Sequence, residues 1–183
     1  MIGPKFGIRG IESVKIGDPG ADGAMGSTLE EIGDLVPDSV LVNFDEPEEI
    51  EIEIENSNVP WEIVFDGKAS RSVEFATRRI NPEMLVKVFG GTATDSGSNG
   101  TMDTWEAPVT LPQIEQSVEL TSKAVNGMKL KVSIPLAALK ASLNGQMLKN
   151  DSGTLKMTAK VKLPYDSVAE EYVSPIKKEW IAA

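Results

Sequence analysis

Thr154-Leu155-Lys156-Met157-Thr158-Ala159-Lys160-Val161-Lys162-Leu163 decides the fold class. Leu155, Met157, Ala159, Val161 and Leu163 alternate with Lys156, Thr158, Lys160 and Lys162. Period two is the mark of a strand with one face buried and the other in water, and Pro164 ends the run. Glu49-Ile50-Glu51-Ile52-Glu53-Ile54-Glu55 alternates just as strictly. On a helix its three isoleucines would scatter around the circumference; on a strand they share one face and the four glutamates share the other.

Working outward, further strands are expected over residues 40–44, 61–65, 72–76, 118–120 and 128–134. Asp66-Gly67 falls between two of these runs and reads as a hairpin turn. Ser27-Thr28-Leu29-Glu30-Glu31 reads as a cap followed by a short helical turn or a bend. Asn81 can cap a helix, Pro82 suits its first turn and Gly90 its end. Between them Met84, Leu85, Val88 and Phe89 lie at helical spacing, to pack on the sheet or to line a groove for a partner. Residues 136–143 read as a second, short amphipathic helix stopped by Asn144-Gly145. Short connections and one-sided alternation suit antiparallel pairing. The expected fold is mainly β, a β-sandwich or partly closed barrel with one or two helices on its flank.

A chain of 183 residues is long enough for one domain with a sizeable core. With aromatics at only 5%, that core rests on Ile, Val, Leu and Met. The expected organisation is a single domain over 1–183, with a flexible N-terminal arm over about 1–33 and a long loop over about 90–112. Gly17, Gly20, Gly23 and Gly26 recur every third residue in the arm. Four triplets holding one proline cannot sustain a collagen helix. Nor is the segment a phosphate loop, since it lacks a Gly-Lys-Ser/Thr ending and carries Asp18 and Asp22. Trp105 sits within the long loop, as an anchor to the same chain or to a neighbouring subunit.

There is no histidine and no cysteine. That removes Ser-His-Asp and Cys-His catalysis and the common zinc sites. It also removes disulfides. No Gly-x-Ser-x-Gly elbow or supported Ser-x-x-Lys motif stands out. Arg78-Arg79 is a lone basic pair. An aspartic dyad or a metal-dependent hydrolase stays open on residue types alone. The expectation is a non-enzyme without cofactor or metal. A net charge of −10 opposes tight nucleic-acid binding. No apolar run approaches the ~20 residues of a membrane helix, and the first residues lack the apolar core of a secretory signal. Synthesis in the cytoplasm without membrane insertion is expected.

Glu49, Glu51, Glu53 and Glu55 admit four readings. A calcium site wraps oxygens around the ion, whereas alternate residues on a strand stand about 7 Å apart in a flat row. A glycosidase acid pair is compatible with the spacing, but nothing marks a sugar cleft. A solvated face, cross-paired with the lysine strands, is the plain reading. If subunits form a ring, the stripe lines a channel or an inter-subunit contact. The lysine stripes Lys129/Lys131 and Lys156/Lys160/Lys162 then face acidic neighbours.

The layout resembles the major tail tube proteins of long-tailed bacteriophages. Three stretches carry the likeness. They are the arm Gly17-Asp18-Pro19-Gly20-Ala21-Asp22-Gly23-Ala24-Met25-Gly26-Ser27-Thr28-Leu29-Glu30-Glu31-Ile32-Gly33, the helix over 81–89 closed by Gly90-Gly91, and Ile134-Pro135-Leu136-Ala137-Ala138-Leu139-Lys140 leading into the strand at 154–163. The resemblance implies a β-sandwich with a flanking helix, hexameric rings joined into an inner β-barrel, and stacking of rings into a tube. It implies a structural virion protein, part of the tail, through which the genome passes without tight binding. Its partners would be copies of itself and tail proteins such as the tape measure and terminator. Arms and long loops would bridge the rings. The extra C-terminal immunoglobulin-like domain that some members of that family carry is not expected here. The rival readings are another virion or secretion-tube component, such as a tail terminator or decoration protein, and a monomeric β-sandwich binding module.

Overall fold

The computed structural model describes residues 9–44, 48–52, 55, 59, 61–66, 70–95, 103–144 and 153–183. The elements run β1 (Arg9–Gly17), β2 (Glu30–Glu31), β3 (Leu41–Phe44), β4 (Glu48–Ile52), β5 (Glu62–Asp66), β6 (Arg71–Thr77), α1 (Pro82–Phe89), β7 (Thr92–Thr94) and β8 (Thr104–Glu106). They continue with β9 (Ile114–Lys123), β10 (Met128–Asn144), β11 (Thr154–Val161), β12 (Tyr165–Asp166), β13 (Glu171–Tyr172) and β14 (Lys177–Ala182). The fold is mainly β, as the two-residue periodicity requires. Eight strands form one antiparallel sheet in the order β2-β1-β9-β10-β11-β6-β3, with β14 joined to β10.

The 17-residue β10 organises this sheet. One of its edges is taken by β9. The other is divided, with β14 along Met128–Ser133 and β11 along Ala137–Asn144. The change falls at Pro135-Leu136, where the register against β9 slips. Before the slip Leu130, Val132 and Ile134 are buried; after it, Ala137 and Leu139 are. The bulge thus changes the parity of the chain while keeping one face on the core, and bulges are how a strand turns a corner between sheets. The Ser117 hydroxyl donates 2.6 Å to the Pro135 carbonyl that the bulge exposes. The two halves enclose one core in a β-sandwich, and among the described residues the sheet does not close into a barrel. At its mouth the Lys178 ammonium of β14 lies 4.3 Å from the ring centre of Phe44 on β3.

The core joins Val14 and Ile16 of β1 and Ile32 with Val73 and Phe75 of β6, Val118 and Leu120 of β9, and Leu155, Met157 and Ala159 of β11. Each large apolar side chain so buried contributes roughly 1.5–3 kcal/mol. The α-helix α1 forms where expected. The Asn81 side chain accepts from the Met84 amide at 3.2 Å, Pro82 opens the first turn and Gly90 closes the last with φ of 76°. Met84 and Val88 enter the core, so this face packs on the body.

Four expectations change. Residues 136–143 are the second half of β10, not a helix. The parity slip at the bulge sets Leu136 three residues from Leu139, which imitates helical spacing. β5 and β6 do not pair with each other as the hairpin expected at Asp66-Gly67 would need, because β5 pairs with β4, and β6 with β3 and β11; Gly67 itself lies outside the described residues. Part of the expected arm is ordered, since Arg9–Gly17 forms β1 in the large sheet. Its glycines permit close backbone approach. A Cβ at Gly17 would come within 2.2 Å of the Thr28 carbonyl oxygen, and one at Gly26 within 2.1 Å of that of Asp18. The long loop holds a small hairpin of β7 and β8.

Candidate assembly surface

β3 and β6 pair as neighbours at one edge of the large sheet, from Leu41↔Glu74 to Phe44↔Arg71. β4 and β5 pair next along the same two chain directions, from Glu48↔Asp66 to Ile52↔Glu62. The Trp61 amide donates 2.8 Å to the Ile52 carbonyl, extending the pairing past the end of both strands. The β4–β5 ribbon forms its own two-stranded unit, packed chiefly on itself. An isolated two-stranded hairpin is at best marginally stable in water.

The cross-strand register redefines the acidic stripe. Residues directly opposite in an antiparallel pair share a face. Glu51 stands against Ile63 on one side of the ribbon; Ile50 stands against Val64, and Ile52 against Glu62, on the other. Glu49 is in register with Phe65. Neither side is wholly acidic, because β5 (Glu62-Ile63-Val64-Phe65-Asp66) does not alternate. Among the described residues β4 pairs with β5 and with no lysine strand, so the cross-paired arrangement is replaced by an acidic-apolar one. Glu55 is an exposed turn residue, and Glu53 lies outside the described residues. The exposed apolar residues are dense: Ile50 is 49%, Trp61 67% and Ile63 47% exposed, with Ile52 and Val64 also in water.

The lysines fall into two groups. On the outer face of β1, β9, β10 and β14, Lys131 is 2.7 Å and Lys15 3.8 Å from Glu119, and Lys129 is 2.8 Å from Glu12. Lys177 bonds Glu179 at 2.5 Å, and this contact, with its charge and that of Lys131, holds the Glu179 carboxyl below its ordinary pKa. Lys162 pairs with Glu115. The outer face of β10, β11 and β6 differs. Register aligns Ala138, Lys160 and Ser72; then Lys140, Thr158 and Glu74; then Ser142, Lys156 and Ala76. Lys140, Lys156 and Lys160 are exposed, and none forms an ion pair among the described residues. They stand among small side chains, with Glu74 in register beside Thr158 and Asp38 lining the same depression as Lys140 and Lys156. Lys156 and Lys160 were visible as a stripe in sequence. Lys140 was missed because it was assigned to a helix, although Leu139, Lys140, Ala141 and Ser142 alternate as a strand does.

Trp105 anchors the 90–112 segment within its own chain. Its indole N–H donates 2.9 Å to the Gly90 carbonyl, and its ring centre lies 6.1 Å from that of Phe89. Of the two anchors left open by the sequence, the contacts supply the one within the chain. Beyond it, Val109 and Leu111 stand fully or largely in water between Pro108 and Pro112.

A depression of about 880 Å³ runs between the glycine loop and the outer face of β1, β9 and β10. Its charged lining residues Lys15, Glu119, Lys131, Lys177 and Glu179 are already engaged in ion pairs with one another. Among the described residues no three acidic side chains converge in a metal-holding cluster. No protein-family model matches the chain, and no curated protein matches it.

Proposed function

We propose that this chain is a structural subunit that self-associates into rings and stacked rings, the tail tube of a long-tailed bacteriophage, through which the genome passes. One observation carries the reading: the β4–β5 ribbon leaves Ile50, Ile52, Trp61, Ile63 and Val64 in water while the body of the same chain is well packed. Contiguous exposed apolar surface of this kind marks a contact with another molecule. The mainly β sandwich with one flanking helix fits the resemblance. So does the net charge of −10, which keeps DNA from adhering to a wall built of this protein.

The work of such a subunit is association, not chemistry. Its partners are copies of itself, with the tape measure and terminator at the tube ends, and its place is the virion tail. Sedimentation velocity across a concentration series tests the reading. Growth from a small species to a large, discrete one is expected. A monomer at every concentration overturns it and favours the binding-module alternative.

A further inference from the structure

The proposed tube leaves open which surface receives the ribbon, and the charge distribution answers within the same chain. Residues 48–66 hold seven carboxylates, Glu48, Glu49, Glu51, Glu53, Glu55, Glu62 and Asp66, and no lysine or arginine. An acidic segment with apolar residues on both sides needs a partner surface that is basic yet offers hydrocarbon. The outer face of β10, β11 and β6 meets both needs. Lys140, Lys156 and Lys160 supply three cations without ion pairs among the described residues. Their aliphatic stems, with Ala138 and the Thr158 methyl between them, supply apolar surface under the charges.

Resting on the tube reading, we infer that the β4–β5 ribbon of one copy docks on this lysine bed of a second copy. The Glu51/Ile63 side of the ribbon pairs a carboxylate with an apolar neighbour, which matches an ammonium carried on a hydrocarbon stem. The ribbon and the bed are different patches of the same chain. Such a contact is heterologous, and it repeats from copy to copy until a ring closes or a filament extends. Docking also sets the ribbon's carboxylates against Lys140, Lys156 and Lys160, which have no ion pairs among the described residues.

The absence of native cysteine makes the test clean. Ile63→Cys and Thr158→Cys are prepared as separate variants, mixed, and oxidised, so that any disulfide joins two copies. Lys123→Cys, on an exposed position of β9, replaces Thr158→Cys as the control. Docking raises the local thiol concentration toward millimolar, so the 63–158 disulfide should form roughly a hundredfold faster than the 63–123 one. Adding Lys156→Glu and Lys160→Glu should remove that advantage, and Glu51→Lys on the ribbon partner, on the docking side beside Ile63, should restore part of it. Rings or tubes assembling with no 63–158 preference overturn the docking and leave the tube standing. A strong preference confined to a closed dimer supports the docking and overturns the tube. A monomer without cross-linking overturns both.

Discussion

The body of the molecule and its β4–β5 ribbon obey the same period-two rule with opposite results. In β11, Leu155, Met157 and Ala159 are buried while Lys156 and Lys160 face water. Each residue type has the environment that its chemistry favours. In β4 the alternation is as regular, yet Ile50 and Ile52 are both exposed. The difference lies in what each strand is paired with. β11 sits between β10 and β6 over a shared core; among the described residues β4 pairs only with β5, whose apolar residues fall on both sides. A regular pattern therefore shows that a strand can bury a face, and its neighbours decide whether it does so within one chain. On this account the ribbon's alternation is completed by a second copy.

The sharpest way to break the comparison is to substitute matched apolar residues in both regions. Phe75→Ala in the body should cost about 3–5 kcal/mol, read from urea unfolding of the monomer. Equal losses from Phe75→Ala and Ile63→Ser would show that the ribbon is part of the monomer's core after all. Next in size is the glycine loop. Gly26→Ala forces a methyl against the Asp18 carbonyl, and a loss of about 1–3 kcal/mol is expected in the same assay. A neutral result would mean that this loop yields freely. Removing the helix cap by Asn81→Ala should cost about 1 kcal/mol, seen as a lower urea midpoint with an unchanged slope.

The smallest stability effects belong to the ribbon and to surface charge. Ile50→Ser with Ile63→Ser should move monomer stability by less than about 0.5 kcal/mol per site while abolishing higher-order species in light scattering. Glu179 has its folded pKa depressed by Lys177. Its contribution is therefore present above the unfolded carboxylate value and is lost as pH falls through the folded one. Glu179→Gln should slightly lower stability at neutral pH, leave it unchanged at pH below the folded carboxylate value, and so flatten the acid limb of a stability-against-pH curve. A steepened acid limb would contradict the assignment.

Much of the body was legible because its signals are local. The β11 alternation and the Asn81-Pro82 to Gly90 frame of α1 need no distant partner to be read. The failures share a different cause. Reading residues 136–143 as a helix required taking Leu136 and Leu139 as one phase, whereas the bulge at Pro135-Leu136 resets that phase and is stabilised by Ser117 from another strand. The glycine period at 17–26 looked like flexibility. Its cause is the backbone contact of Gly17 with Thr28 and of Gly26 with Asp18, which composition does not encode. For the site, the acidic stripe was visible but its neighbours were not. Only cross-strand register shows that Glu51 stands beside Ile63 and that Lys140 joins Lys156 and Lys160.

Electron microscopy of the purified chain beside its Ile50→Ser/Ile63→Ser variant tests the central claim most directly. Negative-stain images across a shared concentration series should show rings or tubes with a central channel for the native sequence, and only small particles for the variant. Identical particles from both, whether tubes or monomers, would contradict the assignment of the ribbon as the assembling surface.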